Sequence, residues 1–326
     1  MVKRQLLYKE WKQSELTFIL VMLVAVFATP LSLLMEYSSY QTCLKDEMCT
    51  PAGEFYYSFH SDSFLSVSWI IGLFFALMIL GIERNKGLMD FTLSLPFSRS
   101  SIYHSKFMLG AGMLIFIHGV SYGITGLFIL WLHPSETSDF NSEYYLALIG
   151  SLMVYSLFLA AGTLTGNLVA QVLVGFSTSI LPFLVIGLPL VHLDFLLQTT
   201  ESLIDNQLNR LIMPMSPVMY ITNEPQPAVP YLFPGDDIVI PTMMFILFYI
   251  IGLIGFLKNP MERNGRFFLF SKMDRPIQIM VIVFGILGFG WLGFSSDNSM
   301  FGYIAGMLIG GAVGALTSYF LIYRKR

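Results

Sequence analysis

The sequence predicts an all-α polytopic membrane protein. About eight transmembrane helices place both termini in the cytoplasm, with an N-terminal interfacial helix and an extracellular helical segment between spans five and six. Three observations carry this. Of 326 residues, 55% are hydrophobic and only 12% are charged, against about 25% charged in an ordinary soluble domain. The apolar residues fall into long runs almost free of charge, and about 20 such residues cross the hydrocarbon core as a helix. The basic residues sort onto one side of the membrane once eight spans are drawn.

The runs place spans near Leu16–Met35, Ser63–Ile82, Phe107–Leu132, Tyr144–Gly166, Leu168–Leu193, Pro241–Leu257, Ile277–Phe294 and Met300–Tyr323. Only a tight turn at Gly166 and Asn167 parts the fourth from the fifth. With the N-terminus inside, every Lys and Arg except Lys45 and Arg210 falls on the cytoplasmic side. That is the bias of the positive-inside rule, and a shifted span count would scramble it. The polar, charged first fifteen residues do not read as a cleavable signal peptide. The net charge of −3 argues against nucleic acid as a partner.

Ahead of the first span, Val2–Gln13 reads as an amphipathic helix lying in the headgroup plane, with Leu7 and Trp11 on one face. The first outer loop carries Cys43 and Cys49. An oxidising exterior permits a small disulfide loop there, and two free thiols are equally consistent with the sequence. The outer segment Asp194–Ile240 begins with apolar residues at helical spacing, which predict an outer amphipathic helix carrying Arg210. Pro214, Pro217, Pro225, Pro227, Pro230 and Pro234 then break it, and the chain there can dip back toward the membrane.

Between the second and third spans the inner loop reads GIERNKGLMDFTLSLPFSRSSIYHSK from Gly81. Its apolar stretch Leu88–Leu95 predicts a short helix beneath the membrane, ended by Pro96, which has no amide donor and restricts the residue before it. Such a segment suits docking of a cytoplasmic partner, or serves as a plain connector. A second inner loop, Lys258–Arg275, repeats the Glu-Arg-Asn pattern at Glu262, Arg263 and Asn264, too short an echo to mark a duplication. In the last span Gly302, Gly306, Gly310 and Gly314 recur at i, i+4. They form a flat stripe suited to packing on the seventh span or on a neighbour.

Ionisable groups are nearly missing from the span interiors. His118 reads as a neutral histidine hydrogen-bonded between helices, and His192 sits near the outer end of the fifth span. A central charge costs at least about 2.5–3.5 kcal/mol, a cost that proton pumps and ion-coupled carriers accept. No G-x-x-x-x-G-K-[S/T], H-E-x-x-H, G-x-S-x-G or catalytic carboxylate pair is present. The sequence therefore predicts neither an enzyme nor a chain that binds its own cofactor or metal.

The inner-loop motif Glu83, Arg84, Gly87, Leu95, Pro96, Ser98 and Arg99, with the order of elements around it, resembles the membrane subunits of type-2 ABC exporters, the type V fold. Its flavour is that of Bacillus-type permeases linked to acetoin use and to the response to cell-wall antibiotics. The resemblance covers residues 1–257, a six-span core, and leaves 258–326 as a basic loop with two additional spans. It implies an ATPase-coupling helix at Gly87, Leu88, Met89, Asp90, Phe91, Leu95 and Pro96, with Met89, Asp90 and Phe91 in contact. It implies inner-boundary ion pairs at Glu83, Arg84 and Arg99, and an outer gate after the fifth span. It also implies a cell-membrane location and pairing with a second permease, the same or different. ATP and magnesium would be held in separate ATPase subunits. The apolar spans suit a lipophilic or amphipathic solute. A carrier or channel without an ATPase, and a sensor or immunity subunit that transports nothing, stay open beside this reading.

Overall fold

The computed structural model describes residues 4–45, 55–58, 62–134, 136–138, 140–197, 212, 214–221, 236–263, 265–297 and 299–323. Among them are eight helices long and apolar enough to cross a membrane. Helix α1 (Arg4–Gln13) precedes the first span, α2 (Glu15–Lys45). The second span, α3, runs from Asp62 to Ala76, continues through a π-helical stretch Leu77–Ile82 and ends in a last turn, Glu83–Asn85. A short helix α4 (Leu88–Ser94) leads to α5 (Arg99–Leu132), and α6 (Phe140–Leu164) follows. The fifth span, α7, covers Leu168–Pro182, a second π-helical stretch Phe183–Gly187, and Leu188–Leu197. Helices α8 (Asp236–Leu257), α9 (Ser271–Asp297) and α10 (Met300–Tyr323) complete the chain.

Helix boundaries overshoot the hydropathy runs. The first span continues to Lys45 and the third begins at Arg99, because backbone hydrogen bonding extends past the apolar core into the headgroup zone. A parallel pair of short strands, β1 (Tyr56–Ser58) and β2 (Glu136–Ser138), adds a small non-helical element on the side away from the termini.

Helix α6 is the central post, packed against α3, α5, α7 and α8. Its Ala147, Met153, Val154, Tyr155, Phe158 and Leu159 are fully enclosed. Close approach depends on small residues: a Cβ at Gly72 of α3 would collide with the Ser151 carbonyl. Polar side chains satisfy themselves inside this core. The His118 Nδ1 donates to the Leu114 carbonyl at 2.9 Å, and its Nε2 lies 3.3 Å from the Ser68 hydroxyl.

The outer helix expected from Asp194 lies largely outside the described residues, and Arg210 with it. Where the chain is described again, Ile212 and Ser216 are buried, and Trp69 of α3 donates to the Pro217 carbonyl at 3.4 Å. The Pro217–Ile221 turn thus returns to the core. Cys43, near the outer end of α2, is disulfide-bonded; Cys49 lies outside the described residues.

Helices α9 and α10 form a tight hairpin. A Cβ at Gly302, Gly306 or Gly310 would collide with the carbonyls of Gly293, Phe289 and Gly285, and Gly314 lies against Ile282. The hairpin is held to the core at both ends. His192 of α7 donates through Nε2 to the Leu287 carbonyl and accepts from the Tyr303 hydroxyl, both at 2.9 Å. At the other end, Leu269 and Gly166 exchange backbone hydrogen bonds with Leu164 and Phe267, and Arg263 pairs with Asp274 at 3.2 Å.

Candidate coupling site

The motif loop is built from three local instructions. Gly87 takes φ +71°, a left-handed conformation that costs glycine little and breaks the chain away from α3. Leu95, ahead of Pro96, is extended at φ −64°, ψ 150°, and so ends α4. Ser98 then caps α5 by accepting from the Ser101 amide at 3.2 Å.

Helix α4 has two faces. Met89 is 0% exposed and Thr92, three residues on, is also enclosed, whereas Phe91 is 61% exposed and Leu88 and Asp90 also face outward. This corrects the expectation that Met89 belongs to the contact face. Residues three apart share a side of a helix, and Met89 follows Thr92 inward. The outward face is Leu88, Asp90, Phe91 and Ser94, with Gly87 and Pro96 exposed at its ends and Leu95 half-buried.

Beneath α4 lies a charge cluster drawn from four elements. Lys106 of α5, fully buried, pairs with Glu10 of α1 at 2.6 Å and with Glu83 of α3, and donates to the Ile79 carbonyl at 3.2 Å. Lys9 of α1 reaches Glu10 at 3.0 Å, Glu83 at 2.9 Å and the Thr92 hydroxyl at 2.7 Å. Thr92 donates in turn to Glu83. Two cations thus face two anions, with no charge left over. Lysine and glutamate are almost never fully buried unless paired, and breaking a buried pair leaves an uncompensated charge. The Tyr155 hydroxyl donates to the Lys106 backbone carbonyl at 2.9 Å and joins the cluster to the central post.

The other two motif cations meet carbonyls where ion pairs were expected. Arg84 donates to the Gly162 and Thr165 carbonyls at the end of α6. Arg99 donates to the carbonyls of Leu257 at 3.1 Å and Asn259 at 2.8 Å, at the end of α8. The last turn of a helix leaves carbonyls unpaired and carries negative dipole density, which a guanidinium with several donors satisfies. Of the three motif charges, Glu83 alone sits in the ion-pair cluster. Lys9, Glu10, Thr92 and Lys106 are not distinguished by the sequence. Lys106 counts there as one more basic flank, and the one available signal is Glu10, an acid on the Leu6 face of an otherwise basic helix. Among the described residues no three His, Cys, Asp or Glu side chains gather as a metal-binding group.

The family model described as "ABC-2 family transporter protein" matches residues 8–190, which hold α4 and the whole charge cluster beside it. The chain is 40% identical over 322 residues to the Bacillus subtilis (strain 168) protein named "Probable ABC transporter permease YtrD", covering 98% of this chain and 97% of that one. It is also 40% identical over 336 residues to "Probable ABC transporter permease YtrC" of the same organism, covering 100% and 99%. No solved structure gives a significant match. An eight-span membrane chain with this family match over more than half its length, and with full-length permease relatives, belongs to the ABC-2 transporter family and is a transmembrane permease subunit of an ABC transporter.

Proposed function

We propose that this permease is one half of the membrane pathway of an exporter. It would pair with a second permease and be driven by separate ATPase subunits that hold ATP and magnesium. The basic side, with both termini, faces the cytoplasm, in keeping with the positive-inside rule. Helix α4 is the coupling helix. The observation that carries this is its division of labour: Phe91 stands outward at 61% exposure while Met89 and Thr92 are locked inward.

Closure of the ATPases would press on Leu88, Asp90 and Phe91. Thr92 passes that displacement to Lys9 and Glu83, so that α1, the end of α3 and the start of α5 move with α4. The π-helical stretch Leu77–Ile82 lies directly above this unit. Such stretches are frequent at functional sites in helices, and here it offers the place where a rigid inner end can turn against the outer part of the span. The output is a rigid-body switch of access, which needs a stiff lever and no catalytic side chain.

Phe91→Asp tests the reading. The variant permease should reach the membrane at the wild-type level and lose ATPase subunits on purification in mild detergent. Normal co-purification together with normal coupling of hydrolysis to transport would overturn it, as would transport by the purified permease alone in liposomes.

A further inference from the structure

A groove of about 490 Å³ opens between α1, α2 and α5. Its rim is Arg4, Tyr8 and Trp11 of α1, and its floor runs along Met22 of α2 and Gly112 and Phe116 of α5. Helix α1 lies beside two spans, and the groove between them is lined almost entirely by apolar side chains. Gly112 leaves the floor open, since a Cβ there meets nothing within 4 Å, as at Gly119, Gly123 and Gly126 farther along α5. What sets the groove apart from the rest of that face is its mouth. Arg4 at the mouth is exposed and has no hydrogen bond or ion pair among the described residues. The neighbouring Lys12, by contrast, is neutralised by Glu15 at 2.6 Å.

We propose that this groove is a binding site for an anionic phospholipid of the leaflet on the side of the termini. The acyl chain lies along Met22, Gly112 and Phe116, and the phosphate pairs with Arg4. The charge complementarity selects the occupant: an apolar trough ending in a guanidinium that is uncompensated among the described residues matches an acyl chain ending in a phosphate. Tyr8 and Trp11 sit where aromatic side chains favour the headgroup boundary. Unbranched, polarisable methionine side chains adapt to a flexible chain. The site also has a mechanical consequence. The face of α1 opposite the groove carries Leu6, Lys9 and Glu10, the last two in the charge cluster, so a lipid seated on one face of α1 braces the helix that holds Thr92.

The test uses Trp11 as its own reporter. Full-length permease is reconstituted into vesicles containing acyl-brominated phosphatidylglycerol or acyl-brominated phosphatidylcholine at equal mole fraction. Quenching at Trp11 is read as the difference between wild type and Trp11→Phe. Phosphatidylglycerol is expected to be preferred about fivefold, the ratio implied by one basic side chain held at an anionic surface. Arg4→Gln should erase the preference and Arg4→Lys should keep most of it. Gly112→Phe, which has open space to enter, should reduce quenching by both lipids. Equal quenching by the two lipids in wild type, or a preference unchanged in Arg4→Gln, would overturn the proposal. So would absence of Trp11 quenching by either lipid, which would mean that a protein surface, such as a second permease, fills the groove. None of these outcomes depends on whether α4 contacts an ATPase.

Discussion

The Lys106 ammonium lies 2.6 Å from a carboxylate oxygen of Glu10, a residue 96 positions earlier in the chain, and both are buried. This pair joins the interfacial helix to the third span at the level where the motif loop leaves the membrane. Lys106→Met keeps the volume of the side chain and strands Glu10 and Glu83. Breaking one partner of a buried pair costs about 3–5 kcal/mol. The expected outcome is a markedly lower midpoint of thermal unfolding in mild detergent. A midpoint within a degree of wild type would show that the cluster does not hold these elements together.

Thr92 is the one residue of α4 that enters the cluster, accepting from Lys9 at 2.7 Å and donating to Glu83. Thr92→Val preserves the shape and leaves both partners without the hydroxyl. A hydrogen bond to a charged group contributes about 1.5–3 kcal/mol, enough to free a seven-residue helix. Amide exchange across 88–94 should accelerate in Thr92→Val and stay near wild type in Thr92→Ser. Unchanged exchange in the valine variant would show that α4 is held by Met89 alone.

The eight spans were legible because a bilayer imposes one rule along the whole chain: apolar runs of sufficient length. Helix α4 was legible for a local reason, being bounded by Gly87 and Pro96, whose backbone preferences act where they stand. The charge cluster was not. Glu10, Glu83, Thr92 and Lys106 come from four elements, and each has an ordinary local explanation as an interfacial acid, a helix end, a short-helix polar residue and a basic flank. Only the packing of α1 against α5 brings them to one point. The inward turn of Met89 was missed for the same reason: its helix phase is set by Thr92, and Thr92 is set by the cluster. Arg84 and Arg99 suit carboxylates and carbonyls equally as side chains, and only the fold supplies the ends of α6 and α8.

His192 fastens the last two spans to the fifth through Tyr303 and the Leu287 carbonyl, each at 2.9 Å. His192→Phe retains an aromatic ring and removes both bonds. Tyr303→Phe removes only one, at a net cost of about 0.5–1.5 kcal/mol. The histidine variant is expected to lower the thermal midpoint more than the tyrosine variant. Equal effects would show that the Leu287 contact contributes nothing.

The glycine stripe makes a sharper prediction, because two glycines of the same hairpin have opposite surroundings. A Cβ at Gly306 collides with the Phe289 carbonyl, while one at Gly288 meets nothing within 4 Å. Gly306→Leu must therefore push α9 and α10 apart. Overpacking of a tight interface costs about 1–3 kcal/mol, and more where backbone has to move. Gly288→Leu places the same side chain on the same hairpin against open space, so it controls for added bulk and hydrophobicity. The thermal midpoint in mild detergent should fall in Gly306→Leu and stay near wild type in Gly288→Leu. Equal midpoints in the two would mean that the stripe does not set the distance between the helices.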